Sequence, residues 1–177
     1  MDAKKTIMKF IQPHLIPVIV LLIIPVINII GLIVLLCATL PTLSKAKKSI
    51  ANLEANGALD KAAEEMISAN AKHLIKGNVI FTENYMFCKG TGLVFTYDEI
   101  MWVYKHRLTH RFLMIPIHVT DSLYLATKSL KPRAVASMGK DKKDEIKNAI
   151  LEIYYHNNKC LVGYTNETVA NYKAMTK

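Results

Sequence analysis

The chain has 177 residues, 51% of them apolar, and a formal net charge of +9. That length builds one domain of ordinary size with residues to spare. The positive balance invites a nucleic-acid partner, but the lysines are spread along the chain rather than massed in one segment, so none is expected.

Residues 1–14 form a short tail with Lys4, Lys5 and Lys9. Then Leu15 to Leu40 reads LIPVIVLLIIPVINIIGLIVLLCATL, 26 positions without a charge. A helix needs roughly 20 apolar residues to cross about 30 Å of hydrocarbon, so residues 15–40 are expected to be a transmembrane helix. Pro25 predicts a kink in it. The run is too long for a cleaved secretory signal, and Leu36 before Cys37 is not the small residue that a lipoprotein signal requires. A re-entrant hairpin around Pro25, Asn28 and Gly31 is the rival, disfavoured because a turn exposed to lipid leaves backbone groups unpaired. Lysines flank both ends, so orientation is weakly set. The positive excess of the remainder predicts a single-pass protein of the cell membrane with a cytoplasmic carboxyl-terminal domain. Cys88 and Cys160 lack the spacing of a disulfide framework, and a single bridge between them stays open.

Residues 41–71 are expected to be a juxtamembrane helical stalk and packing arm. SKAKKSIANLEANG predicts one helix with Ile50 and Leu53 on one face and Gly57 as its stop. LDKAAEEMISAN restarts the period, with Leu59, Ala62, Ala63, Met66 and Ile67 on one stripe.

From residue 72 the pattern changes. NVIFT, YMFCK, GLVFTY, EIMWVYKHR, HRFLMIPIHV, SLYLAT and RAVASM are short β-branched or aromatic segments, about seven strands at the close spacing of an antiparallel barrel or sandwich. Gly90-Thr91-Gly92 and Asp121 are among their separators. DKKDEIKNAILEIYYHNN is an amphipathic helix: Asp141 can cap it, and Ile146, Ala149, Ile150, Ile153 and Tyr154 form its stripe. Strands followed by one helix make the element order of a pleckstrin-homology-like (PH-like) domain. The fold expected is therefore α+β: a transmembrane helix and stalk, then over residues 72–177 a PH-like seven-stranded antiparallel barrel or sandwich capped by a carboxyl-terminal helix.

With its NVIFTENYMF opening, its YDEIMWVYKHR strand and its LVGYTNE tail, the chain resembles an uncharacterised family of small single-span bacterial membrane proteins. The likeness covers roughly Ile75 to Lys173. It implies the PH-like fold, and it transfers no binding residue position by position.

The segment EIMWVYKHRLTHR carries the one candidate site. On a strand Ile100, Trp102, Tyr104 and Leu108 face one way, while Met101, Val103, Lys105, Arg107, Thr109 and Arg111 face the other. Lys105, Arg107 and Arg111 thus align on one surface, as a strand that reads anionic headgroups would have them. The plain alternative is a solvated sheet face whose charges protect an edge; a hairpin tip turned toward an anionic leaflet is a third reading. His106 and His110 would lie roughly 13 Å apart on a strand, too far to share a metal ion.

No CxxC or GxSxG motif occurs, and the GxG at Gly90–Gly92 joins two strands rather than a strand and a helix. Asp98 and Glu99 are adjacent and point to opposite sides, wrong for paired acid and base work. The sequence therefore predicts a non-enzymatic, membrane-anchored interaction module without cofactor or metal. Its expected partners are the bilayer, an unknown protein or anionic lipid headgroups. The alternative is a scaffolding subunit of a larger membrane complex.

Overall fold

The computed structural model describes Lys4, residues 42–141 and residues 143–176. The expected transmembrane helix at 15–40 lies outside the described residues. Among those described, no helix is long and apolar enough to cross a membrane.

Helix α1 occupies residues 42–55, and α2 runs Leu59–Ile67. Four short antiparallel strands follow, β1 (Lys72–Leu74), β2 (Val79–Phe81), β3 (Tyr85–Cys88) and β4 (Leu93–Thr96), paired in sequence order. A 3₁₀ turn at Tyr97–Glu99 carries the chain to a second sheet. That sheet holds β5 (Ile100–Phe112), β6 (Ile115–Thr127), β7 (Arg133–Gly139) and β8 (Leu161–Val162) in the order β7-β6-β5-β8. Helix α3 (Glu145–His156) precedes β8, and α4 (Asn166–Met175) follows it.

The architecture is α+β, but the seven-stranded closed barrel is corrected. Eight described strands form two separate four-stranded sheets. The chain changes sheet at the 3₁₀ corner, where the helix end is tied in. Asn157 Nδ2 donates to the carbonyls of Tyr97 (2.8 Å) and Ile100 (3.0 Å). Tyr97 in turn donates its hydroxyl to Thr82 O at 2.7 Å. The two helices expected as stalk and packing arm, α1 and α2, do pack on the sheet. Ala46, Ile50, Leu53, Ala62, Ala63 and Met66 pack on Ile80, Tyr85 and Phe87, the outward side of β2 and β3. Alternate residues Val79, Phe81, Met86 and Cys88 face the inter-sheet core. Both faces of these strands are therefore covered, which is why every residue in them is buried. Each large apolar side chain so buried contributes about 1.5–3 kcal/mol.

Gly92 sets the helix against the sheet. Its φ is +67°, and a Cβ there would lie 2.5 Å from Thr42 O. Only glycine accepts both that backbone and that approach.

The inner faces of both sheets meet α3, with Val103, Leu123, Leu125 and Val135 against Ile146, Ala149 and Ile153. Tyr154 leaves the expected stripe and is exposed, as is Ile67 of α2. On the outer face of the second sheet, Trp102, Tyr104 and Ala126 pack under Val169 and Tyr172 of α4. Trp102 Nε1 donates to Gly163 O at 2.7 Å, tying β8 and α4 down.

Candidate functional site

Strands β5 and β6 are far longer than their neighbours, each of 13 residues. Strand β7 accompanies β6 only from Thr120 to Leu125, and β8 accompanies β5 only at Trp102 and Val103. Beyond Leu108 and Thr120 the hairpin therefore projects as a two-stranded arm. It adds about 14 Å at roughly 3.4 Å per residue. Phe112 pairs with Ile115 across a two-residue turn. The two turn residues, Leu113 and Met114, both have positive φ (48° and 66°). That is the twist of a primed hairpin turn, normally built from Asn or Gly. Bulky side chains in this region are outliers, each costing about 1–2 kcal/mol. The tip is also bare: Phe112, Leu113, Met114 and Ile115 are 64%, 81%, 91% and 67% exposed.

Behind the tip the arm is basic. No Asp or Glu occurs from Ile100 to Thr120. Arg111 is exposed and without a charged partner among the described residues. His110 stands across from His118, with ring centroids 6.0 Å apart. A register shift after His110 leaves Ile117 as an extra, exposed residue beside Pro116. Proline without an N–H suits such a free edge.

The root of the arm is an ion network around two buried carboxylates. Arg107 grips Asp121 with two hydrogen bonds, Nε to Oδ1 at 2.6 Å and Nη2 to Oδ2 at 2.9 Å. Lys105 Nζ donates to Asp141 Oδ2 at 3.0 Å and lies 3.7 Å from Asp121 Oδ2. Asp121 also accepts from the Asp141 backbone N–H at 2.8 Å. Asp141 accepts from the N–H groups of Glu145 (2.9 Å) and Ile146 (3.1 Å), so it caps α3 from outside the helix. Both carboxylate side chains are fully buried. The Arg107 guanidinium holds the Asp121 carboxyl at about 2, against the pull of burial. Burial pushes Asp141 up, yet Lys105 and the two helix N–H groups keep it below the usual carboxylate range.

Lys105, Arg107 and Arg111 do share one face of β5, since they alternate along the strand toward the side of Val103. The structure brings Lys105 and Arg107 together on carboxylates and leaves Arg111 apart on the arm. A bulge between Ile100 and Trp102 turns Ile100 to the core face with Val103, away from its expected face. Asp121, read from sequence as a separator, lies in the middle of β6.

Other chemistry is quiet. The Cys88 and Cys160 thiols are free and buried; burial pushes Cys88 strongly up and Cys160 to about 11, which leaves both poor nucleophiles. Among the described residues no three His, Cys, Asp or Glu side chains gather as a metal site. An open cleft of about 490 Å³ lies between α2, β2 and α3. Two of its carboxylates are committed: Glu65 accepts from Thr82 (2.8 Å) and the Asn84 backbone (3.0 Å), and Glu152 pairs with Lys72 at 2.9 Å.

Residues 43–172 match the family model described as a domain of unknown function, DUF6709. That is well over half of the chain, which therefore belongs to this family. No curated protein matches the chain, and no solved structure does.

Proposed function

We propose that the chain is a non-enzymatic interaction module working at a membrane surface. Its contact element is the projecting β5–β6 arm, which meets anionic headgroups or a protein partner. The single observation behind this reading is the exposed Phe112–Ile115 tip held on a strained turn. Bare bulky side chains in an unfavourable conformation cost stability and add nothing to the core, so a role outside the fold accounts for them. The uncharged run Leu15–Leu40 supports the membrane setting.

The test is a photo-crosslinking residue at Met114 of the full chain in its native membrane, with the exposed Asn148 of α3 as control. A discrete lipid or protein adduct at 114 and not at 148 is expected. No adduct at 114 would overturn the proposal.

A scaffolding role is the second reading, favoured by Leu151, Tyr154 and Tyr155, which stand exposed on α3. It predicts a defined oligomer or complex in mild detergent that Tyr155→Ser with Leu151→Ser dissolves; a wild-type chain of monomer mass would remove it.

A further inference from the structure

We infer that the arm tip inserts into the lipid of an anionic bilayer, with Phe112, Leu113, Met114 and Ile115 below the headgroups and Arg111 among them. This rests on the interaction reading above and names its partner as lipid.

Shape is the first argument. The tip is a narrow convex knob of four consecutive apolar side chains at the end of a two-stranded ribbon. Fluid acyl chains close around such a knob without a matching pocket, whereas a protein partner must supply a preformed concavity.

Depth is the second. Arg111 lies two residues before the turn, so its backbone sits about 7 Å behind the apolar end. Interfacial elements bury their apolar faces about 5–10 Å into the headgroup boundary. Arg111, with its long apolar stem, thus reaches phosphate level when the tip is immersed.

Charge is the third. Twenty-one residues from Ile100 to Thr120 contain no carboxylate, so nothing on the arm repels an anionic leaflet. Asp121 is turned inward and already neutralised by Arg107 and Lys105. The His110–His118 pair stands one position behind Arg111 on the ribbon.

Strain is the fourth. An Asn-Gly turn would close this hairpin at lower energy. Leu113 and Met114 instead hold apolar side chains, 81% and 91% exposed, at the extreme end.

The experiment uses the full chain carrying Cys37→Ser and Met114→Cys, labelled with an environment-sensitive nitrobenzoxadiazole probe; Cys88 and Cys160 are buried and stay unlabelled. It is reconstituted in phosphatidylcholine vesicles with or without phosphatidylglycerol, at high dilution in lipid. With phosphatidylglycerol the probe should shift to the blue and be quenched by shallow spin-labelled lipid, while a probe at Asn148→Cys is not. Arg111→Gln should weaken this insertion roughly five-fold, the worth of one cation near an anionic leaflet. Leu113→Asp should abolish it with Trp102 emission unchanged.

A probe that stays in water with phosphatidylglycerol present overturns the inference. So does a blue shift that grows only as protein crowds the vesicles, which assigns the tip to a second copy. If the crosslinker at Met114 still finds one discrete protein, the interaction reading survives the loss of the lipid assignment. If it finds nothing, both fail.

Discussion

Replacing Asp121 by Asn tests the root of the arm. The substitution keeps the shape but removes the buried charge that Arg107 and Lys105 share. The Asp121 carboxyl falls from an ordinary 3.8 to about 2 on folding. At 1.36 kcal/mol per pKa unit this is worth roughly 2.5 kcal/mol near neutral pH. Arg107 is half exposed, so solvent screens the pair, and about 1–2 kcal/mol is the better expectation. Because the folded value is depressed, this contribution is complete above about pH 4 and is lost as pH falls toward about 2. Urea unfolding of the full chain in detergent micelles, followed by the single tryptophan Trp102, reads the difference. The variant should be less stable than wild type near pH 7, and the two should converge near pH 2. An equal stability at neutral pH, or a deficit that persists undiminished in acid, would refute the charge argument.

Three further outcomes follow from the geometry. Leu113→Asn with Met114→Gly relieves both left-handed residues and should raise stability by about 1–2 kcal/mol; thermal unfolding that is unchanged or lower would remove the strain argument. Trp102→Phe loses the hydrogen bond to Gly163 and part of the aromatic packing, at a cost of about 2–3 kcal/mol. Limited proteolysis should then release the α4 segment first, and cleavage elsewhere would contradict its role as the tie. Gly92→Ala places a methyl against Thr42 O and should cost about 2–4 kcal/mol. Hydrogen exchange should accelerate in residues 42–55 ahead of the strands, and uniform protection would show that the approach is not tight.

The first sheet was the most legible part of the chain. Its short apolar segments are bounded by Gly and Asn, and the helix stripe of Ile146, Ala149 and Ile153 reads directly from the period. The long hairpin was not, for three physical reasons. Its turn is Leu-Met, which carries no turn signal, so HRFLMIPIHV reads as one strand instead of two strand ends. Asp121 reads as a separator because its neutralising partner, Arg107, lies on the preceding strand. The bulge after Ile100 inverts one residue, and no periodicity rule detects a single inserted position. Strands β1 and β8 have three and two residues, too few to show alternation. The basic strand itself was legible. The buried carboxylates that claim two of its three cations became visible only once β6 and the α3 cap were placed beside it. The exposed tip was missed with the hairpin, because the apolar run FLMI reads as strand interior until the turn is placed at Leu113 and Met114.

The lone ribbon also has two bare rims. Past Val103 on one side and Thr120 on the other, its outward amides and carbonyls meet no further strand among the described residues. Such rims zip readily onto another copy. Here the β5 rim carries Arg111, and no carboxylate from Ile100 to Thr120 offsets it, so neighbouring ribbons repel at close range. Salt shortens that repulsion to about 8–10 Å under ordinary conditions. A polyanion that blankets these guanidiniums would remove the barrier and let copies zip edge to edge.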